Sequence, residues 1–225
     1  MDIYELEKKI WTEVNFDDMG WHDCRIYKMK LAKDIEFDID YILQWNKPEI
    51  DGLPLTFWVA PATLVFKEVS KLEFNITTAF HEAIEIQDIK LDKNNKKFRW
   101  TIATQSGSLE FEAESYTQWI RQEPFFQFGQ VIPYIERNGF SLEKTIDQDN
   151  PNRFRKDVIE KREKEFEYYE ILRKRYIKRK EQVVLEDQRK TGKIDIKTYL
   201  IKKRELSKML DYYDTCLKGT QFEKC

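Results

Sequence analysis

The spacing of the apolar residues changes from every second position to helical spacing near residue 150, and this change constrains the fold most. In residues 24–113, short runs alternate between apolar and polar side chains, as where Leu109, Phe111 and Ala113 alternate with glutamates. Such alternation is typical of strands that bury one face, and turn residues such as Ser106-Gly107 favour antiparallel hairpins. The sequence therefore predicts about eight short antiparallel strands in a sandwich or a rolled sheet.

The clearest predicted pair is a strand over residues 24–31 and a second over 35–41, with a turn at Lys33 and Asp34. The stretch Leu55–Phe66 is apolar on both faces, as expected of central strands. Because Pro61 cannot donate a ladder hydrogen bond, we predict two short strands on either side of it. Further strands are predicted at 72–76, 84–91, 98–102 and 109–113, and the alternation in 84–91 contains one slip in register.

Both ends of the chain show helical spacing. Residues 2–14 predict a short amphipathic helix, because Ile3, Leu6 and Ile10 recur at helical intervals and Asp2 can cap the start. The segment from Arg153 to Lys190 contains neither Gly nor Pro and is rich in Glu, Lys and Arg, which predicts a long helix.

A second C-terminal helix is predicted from its boundary residues. Gly192 supplies a stop for the long helix, and Asp195 supplies the N-cap of the next one. The apolar residues between Ile196 and Leu217 recur at heptad spacing. The predicted fold class is therefore α+β: a β-rich domain over residues 1–150 with a short N-terminal helix, followed by an α-helical hairpin over residues 151–225.

The two predicted domains carry opposite charge. From residue 151 onward the sequence has 22 Lys and Arg against 14 Asp and Glu, a balance of +8. Residues 1–150 have 17 against 27, a balance of −10, although the whole chain carries only −2. Charge asymmetry between halves points to distinct partners for each half, or to attraction between them.

The composition limits the environment in which this chain works. A hydrophobic content of 41% with only seven glycines and six prolines excludes a disordered or collagen-like chain. The first thirty residues are too charged for a signal peptide, and the apolar run Leu53–Phe66 is too short to span a membrane. Cys24, Cys216 and Cys225 lack metal-type spacing and predict free thiols in a reducing compartment. We therefore expect a cytoplasmic protein without a membrane association.

The best candidates for a functional site are the segment Trp21-His22-Asp23-Cys24 and the acids Asp38 and Asp40 on the second predicted strand. Three interpretations are open: structural hydrogen bonding, a contribution to a binding surface, and a metal site of a metal-assisted hydrolase. Neighbours such as His22 and Asp23 point apart on a strand, which disfavours the metal site. The candidate binding residues are Trp21, His22, Asp23, Asp38 and Asp40.

No catalytic set follows from the sequence. His81, the other histidine, lacks the second histidine of the zinc protease motif, and we interpret it as structural. The sequence has no glycine-rich phosphate loop, and Ser106-Gly107-Ser108 is a turn rather than a nucleophile elbow. We predict no catalytic residue, no metal ligand and no cofactor, and an enzyme is the less favoured class.

A cluster of cations lies on the long predicted helix. Such a cluster can neutralise phosphates of a nucleic acid, although a helix spreads these positions around its circumference. A solvated helix face, or docking on an acidic surface of its own N-terminal domain or of a partner, is the favoured explanation, and nucleic-acid binding is the alternative. The cluster consists of Arg173, Lys174, Arg175, Lys178, Arg179 and Lys180.

Two segments resemble known bacterial proteins. With the motif at 21–24, the stretch Asp38–Ile42 and the stretch Phe57–Phe66, residues 15–115 resemble uncharacterised bacterial β-domain proteins, some of them similar to immunity proteins of toxin systems. This resemblance implies a bacterial cytosolic protein that binds and neutralises a toxin, and it implies no catalytic residues. Residues 184–210 resemble helical hairpins that bacteria append to unrelated domains for oligomerisation or docking.

The leading hypothesis is therefore a non-enzymatic, immunity-like binding protein whose acidic β-domain meets a basic protein partner, for example a basic toxin. Complementary charge would mainly raise the association rate. The apolar stripe on the second helix of the hairpin, which includes Tyr199, Leu206 and Tyr213, is wider than one partner helix covers. We expect a homodimer through the C-terminal helices, ahead of packing of the hairpin on its own β-domain.

Overall fold

The structure, a computed structural model, describes residues 4–79, 83–93 and 98–225. It divides into two compact units. The first contains the residues up to Asn46 together with Leu55–Arg153, and the second contains Lys47–Pro54 together with Phe154–Cys225. The short segment Lys47–Pro54, which the sequence places in a loop of the first domain, therefore belongs to the helical unit.

The first unit contains one antiparallel sheet, which confirms the predicted fold class. Within the described residues it has ten strands, in the order β1-β9-β4-β3-β2-β6-β7-β8-β5, and β10 pairs with β4. The strands are β1 (Ile10–Thr12), β2 (Cys24–Leu31), β3 (Ile35–Asn46), β4 (Thr56–Lys67), β5 (Ser70–Ile76), β6 (Ile84–Asp92), β7 (Phe98–Thr104), β8 (Gly107–Ala113), β9 (Ser115–Ile120) and β10 (Phe125–Gln127).

The sheet is rolled, so that strands far apart in its order face one another. The ring centroids of Phe66 on β4 and Trp100 on β7 lie 5.0 Å apart. Four strand spacings separate β4 from β7, which would be roughly 19 Å in a flat sheet. Tyr116 on β9 also lies 5.4 Å from Trp100. The inner face of the roll therefore holds an aromatic core, which also includes Phe37 and Phe111.

Two strand predictions need correction. The break expected at Pro61 is absent, because β4 runs without interruption from Thr56 to Lys67. On one side β4 pairs with β10 up to Val59 and with β9 from Ala62 onward, so Pro61 lies where neither strand needs its missing N–H. The strand β9 was also not predicted. The register slip predicted in residues 84–91 is confirmed as a bulge between Ile86 and Asp88 of β6.

The N-terminal α-helix predicted over residues 2–14 is wrong for the part that the structure describes. Ile10–Thr12 is strand β1, paired with β9, and Glu13–Asp18 forms a short 3-10 helix. The edge of β9 offers backbone hydrogen bonds to this segment, which outweigh its helical spacing. The predicted cap Asp2 lies outside the described residues.

The helical elements after the sheet are α1 (Tyr134–Arg137), a 3-10 helix at Pro151–Phe154, α2 (Lys156–Lys190) and α3 (Ile196–Leu217). The two long helices α2 and α3 follow the prediction closely, whereas α1 and the 3-10 helix were not predicted. The Asp195 side chain accepts hydrogen bonds from the backbone N–H groups of Lys197 and Thr198, as expected of an N-cap. None of the helices within the described residues has the length and apolar character needed to cross a membrane.

The centre of the sheet is covered on both faces, and this arrangement positions the candidate site. In β3, Phe37 and Ile39 point into the roll, whereas Glu36, Asp38 and Asp40 are buried on the outer face. Residues 121–150, which follow β9 in the chain, cover part of this outer face, where Arg121, Arg137 and Ser141 donate to Asp38. A polar face beneath a covering segment must supply hydrogen-bond partners for every buried charge.

Candidate functional site

Asp38 and Asp40 project from the outer face of β3 against two arginines. Arg121 Nη2 donates to Asp38 Oδ1 over 2.7 Å. Arg137 also donates to Asp38, and its Nε lies 2.8 Å from Asp40 Oδ1. All four side chains expose 1% of their surface or less. Two carboxylates and two guanidinium groups thus form a buried cluster without net charge, which we call the Asp–Arg network.

Both arginines come from residues 121–150, so the Asp–Arg network holds this covering segment on the sheet. Arg121 directly follows β9, and Arg137 is the last residue of α1. The backbone N–H of Ser141 donates to Asp38 Oδ2 over 3.0 Å, which ties down the chain beyond α1 as well. Several charge-assisted hydrogen bonds therefore fix one position for α1.

Tyr27 on β2 completes the network from the other side. Its hydroxyl donates to Asp40 Oδ2 over 2.7 Å, and the Arg137 guanidinium lies 4.3 Å from the centre of its ring. The ring of Phe140 stacks on the Tyr27 ring with a centroid distance of 5.5 Å. Burial and the neighbouring charge of Asp40 raise the pKa of Tyr27, so its hydroxyl stays protonated.

Neutral polar side chains satisfy the remaining hydrogen bonds of Arg121. Its Nη1 donates to Thr63 Oγ1 over 2.7 Å, and its Nε donates to Gln148 Oε1 over 3.1 Å. Gln122 donates to the same Gln148 oxygen, and Asn150 in turn donates to Gln122 over 2.7 Å. Arg121 therefore connects the covering segment to the sheet, and Gln122, Gln148 and Asn150 connect the beginning of this segment to its end.

The pKa values of Arg121 and Arg137 shift in opposite directions, because Arg121 pairs with one carboxylate and Arg137 pairs with two. Burial lowers the pKa of Arg121, and the charge of Asp38 only partly opposes this. Burial also acts to lower the pKa of Arg137, but its hydrogen bonds and charge interactions with Asp38 and Asp40 outweigh burial and raise it. At Asp40, burial raises the pKa against the charge of Arg137. These charges compensate one another in a region closed to solvent, which suits a structural role.

Above the Asp–Arg network, three large apolar side chains are exposed to solvent. Tyr134, Ile135 and Phe140 expose 61%, 49% and 51% of their surface, and we call them the aromatic patch. The ring centroids of Tyr134 and Phe140 lie 5.0 Å apart, and Phe140 in turn packs on the network residue Tyr27. Exposed apolar side chains that are grouped and rimmed by polar residues are typical of protein-binding surfaces.

An acidic depression begins beside the aromatic patch. Asn138, between Tyr134 and Phe140 in sequence, donates to the backbone oxygen of Asp149 over 3.2 Å. Lys144 is the one cation among the residues that line the depression, and it donates to Glu36 over 3.3 Å. The depression is lined by Asn138, Glu143, Lys144, Thr145, Asp147, Gln148 and Asp149. The rim of the aromatic patch therefore carries negative charge on this side.

The candidate residues Trp21 and His22, which precede β2, have hydrogen-bond partners outside the Asp–Arg network. Trp21 is buried in the core and donates from Nε1 to Gln118 Oε1 over 2.8 Å. The His22 side chain is 67% exposed and stacks on Trp45, with Nδ1 2.9 Å from the backbone oxygen of Gln87. Trp21 is thus a core residue, whereas His22 is available at the surface.

Asp23 has a partner of its own and does not join the two acids with which the sequence grouped it. Its backbone has a φ of 61°, and its carboxylate accepts a hydrogen bond of 2.6 Å from Gln130 Nε2. The single cluster of His22, Asp23, Asp38 and Asp40 is therefore not assembled. In the part of the chain that the structure describes, no group of three or more His, Cys, Asp or Glu side chains could hold a metal ion. The metal site considered from the sequence is thus absent from these residues.

Cys24 has none of the properties of a nucleophile. It is fully buried, and burial raises its pKa to about 12. A reactive cysteine needs a lowered pKa and access to solvent. Cys216 and Cys225 are free thiols with partial exposure. The predicted structural residue His81 lies outside the described residues.

The basic cluster on α2 is divided among different environments. Arg175 is buried, with 2% of its side chain exposed, and donates to Asp214 over 3.0 Å. Arg173 pairs with Glu49 over 2.9 Å. In addition, Lys178 pairs with Glu181, and Arg179 lies 3.7 Å from Asp214, whereas Lys174 and Lys180 have no ion-pair partner within 4 Å among the described residues. Only part of the predicted cluster is thus presented as unpaired positive charge.

The roles of Arg121, Arg137, Tyr27 and the aromatic patch were not predicted from the sequence. One signal was available, because acids on an inner strand such as β3 require buried cationic partners. Residues 121–150 contain three arginines and lysines, and alternation alone does not choose among them.

The comparisons with known proteins give no relative from which a role could be transferred. No protein-family model matches the chain, and no curated protein or solved structure matches it. The fold and site define the protein as an α+β protein with a rolled antiparallel sheet and a C-terminal helical hairpin.

Proposed function

We propose that this protein is a non-enzymatic binding protein that holds a basic protein partner on the aromatic patch of its β-sheet unit. The observation that carries the proposal is the exposure of Tyr134, Ile135 and Phe140 on a segment that the Asp–Arg network holds in place. Aromatic side chains at the centre of a surface contribute strongly to protein association.

The rigidity of the patch supports this role. Arg137 ends the helix that begins with Tyr134, and Phe140 stacks on Tyr27, so buried contacts restrain both exposed rings. A surface that is already ordered loses less conformational entropy when a partner binds. The Asp–Arg network would therefore favour binding indirectly, without touching the partner.

Charge indicates the chemistry of the partner. Glu143, Asp147 and Asp149 beside the patch agree in sign with the −10 balance of residues 1–150. A basic protein surface would associate with this face faster and more selectively than an acidic one. The resemblance of residues 15–115 to immunity-like proteins suggests a toxin as the partner, bound in the bacterial cytosol.

Site-specific photo-crosslinking tests the proposal. A benzophenone amino acid replaces Tyr134 in the full chain, and as a matched control it replaces Phe74, an exposed aromatic residue on β5. Crosslinking in cells of the source organism should trap one protein with a basic surface at position 134 and not at position 74. Failure to trap a protein at position 134, or equal trapping at both positions, would contradict the proposal.

A mutational arm tests the same contact without a photoreactive group. The double variant Tyr134→Ala and Ile135→Ala should lose the trapped partner in a low-salt pull-down, because it removes two apolar contacts without adding negative charge that would itself attract a basic partner. Val14→Ala changes an apolar residue of the same unit that is more exposed and should retain the partner. Retention by the double variant would place the binding surface elsewhere.

A further inference from the structure

In the helical unit, the contact between α2 and α3, which we call the seam, is too narrow to bury all apolar residues of the two helices. Leu172 and Leu185 on α2 and Tyr199 and Leu217 on α3 are buried in this unit. Two helices bury only the stripe on which they meet, and a third or fourth helix is needed to enclose a wider core. The remaining apolar residues of α2 and α3 lie outside the seam.

Some of these residues line a continuous groove beside the seam, which we call the hairpin groove. Its volume is about 620 Å³. Val184 and Met209 on its walls expose 55% and 43% of their surface, so the groove is open to solvent. Its apolar lining consists of Ile50, Ile177, Val184, Leu185, Leu206 and Met209, all within the helical unit.

The polar rim of the hairpin groove carries both signs of charge. Lys178, Lys180 and Lys202 lie beside Glu181 and Glu205. A nucleic acid would meet two acids and an apolar floor there, which suits a phosphate backbone poorly. A surface with interspersed lysines and glutamates can instead pair with its own copy, since a two-fold axis brings each position opposite a different one.

The size of the open face also suits a second copy. The groove extends from Ile177 to Gln188 along α2, which is about 17 Å at 1.5 Å per residue. Two helices side by side are roughly 20 Å wide, so the groove itself offers about 340 Å², and the whole hairpin face along the 22 residues of α3 offers on the order of 600 Å² to a partner. This is near the lower end of what each partner buries in a stable interface, roughly 600 to 1,000 Å².

We infer that the hairpin groove is the interface of a homodimer, in which the hairpins of two copies pack groove to groove as a four-helix bundle. The Val184 and Met209 side chains of one copy would fill the groove of the other, and the lysines and glutamates of the rim would pair across the two-fold axis. This inference concerns the helical unit and is independent of the partner proposed for the aromatic patch.

The mass of the full chain in solution tests the inference. Light scattering of the wild type at about 50 µM should give twice the 27.4 kDa of one chain. Val184→Glu should give the mass of one chain at the same concentration, because the change places an unpaired charge in an apolar interface. Val183→Glu, next to it on α2 but outside the groove lining, should remain dimeric.

A second pair of variants repeats the test from α3. Met209→Lys should dissociate the dimer, whereas Leu200→Lys, nine residues away and thus on the opposite side of the helix, should not. Circular dichroism at 222 nm checks that the helices persist in each variant. A monomeric wild type, a dimer that survives both groove variants, or dissociation by the control variants as well would overturn the inference.

Discussion

The β-sheet unit and the helical unit differ in whether their ion pairs are buried or exposed. The first buries two acids and two arginines completely, in a network that joins the sheet to its covering segment. The second keeps most of its ion pairs at the surface, as in Lys156–Glu160, where both side chains are more than half exposed. Buried pairs act on stability strongly when one partner is lost, and exposed pairs contribute little.

This difference indicates which unit encloses its apolar core without a further partner. The sheet has an enclosed aromatic core, and the charges of the Asp–Arg network have partners within the same unit. The helical unit has a narrow seam and an open groove. We therefore expect the stability of the sheet to depend on its interior, and that of the helices to depend on the seam, the helix ends and a second copy. Three predictions sharpen this comparison.

The largest effect is expected from Asp38→Asn in the Asp–Arg network. The change leaves Arg121 and Arg137 short of one buried negative charge, and we expect it to lower the free energy of unfolding of the sheet by about 3 to 5 kcal/mol. Tryptophan fluorescence during urea unfolding measures this unit alone, because all six tryptophans precede residue 151.

The matched control is Glu36→Gln, on the same face of the same strand. Burial acts to raise the pKa of Glu36, but hydrogen bonds from Lys30 and Lys144 outweigh burial and lower it. Because both lysines remain partly exposed, the loss should stay below about 1 kcal/mol. Equal losses in the two variants would show that the Asp–Arg network does not differ energetically from a carboxylate paired with partly exposed lysines.

A smaller effect is expected in the seam of the helical unit. Leu172→Ala removes a fully buried side chain and should cost about 2 to 4 kcal/mol, measured as the loss of the 222 nm signal in urea. Leu200→Ala removes an exposed leucine and should change stability by less than about 0.5 kcal/mol. A seam variant as stable as the control would mean that the seam is not where the helices gain stability.

The smallest effect is expected at the start of α3. Asp195→Ala removes the N-cap and should lower the melting temperature of the helical signal by roughly 3 °C at pH 7. Asp211→Ala changes an exposed acid farther along the same helix; it is the control and should leave the melting temperature nearly unchanged.

The pH dependence of this variant has a definite sign. The Asp195 pKa is lowered in the folded protein by hydrogen bonds with Thr198. Its contribution to stability is therefore present above the unfolded pKa of about 3.9 and is lost as the pH falls through the lower folded value. The melting temperatures of wild type and Asp195→Ala should thus converge in acid. A constant difference down to pH 2 would exclude the capping carboxylate as the cause.

The sequence by itself determined the elements for which neighbouring residues allow only one local structure. Period-two alternation defined β2, β3, β7 and β8, because a strand with one buried face allows few other arrangements. The Asp195 N-cap and Gly192, with its φ of +70°, defined the hairpin turn. The same alternation placed Asp38 and Asp40 on the face opposite the core, which is half of the candidate site.

Only the tertiary structure decided the rest, because those features depend on pairs of residues far apart in sequence. The strand β1 forms because β9 offers it an edge, and Pro61 is tolerated because two neighbouring strands meet beside it. Asp38 finds Arg121 and Arg137 across 83 and 99 positions of the chain. Local propensity carries no information on which distant arginine neutralises a buried acid, since the folded contacts that select it exist only once the sheet and its covering segment have packed.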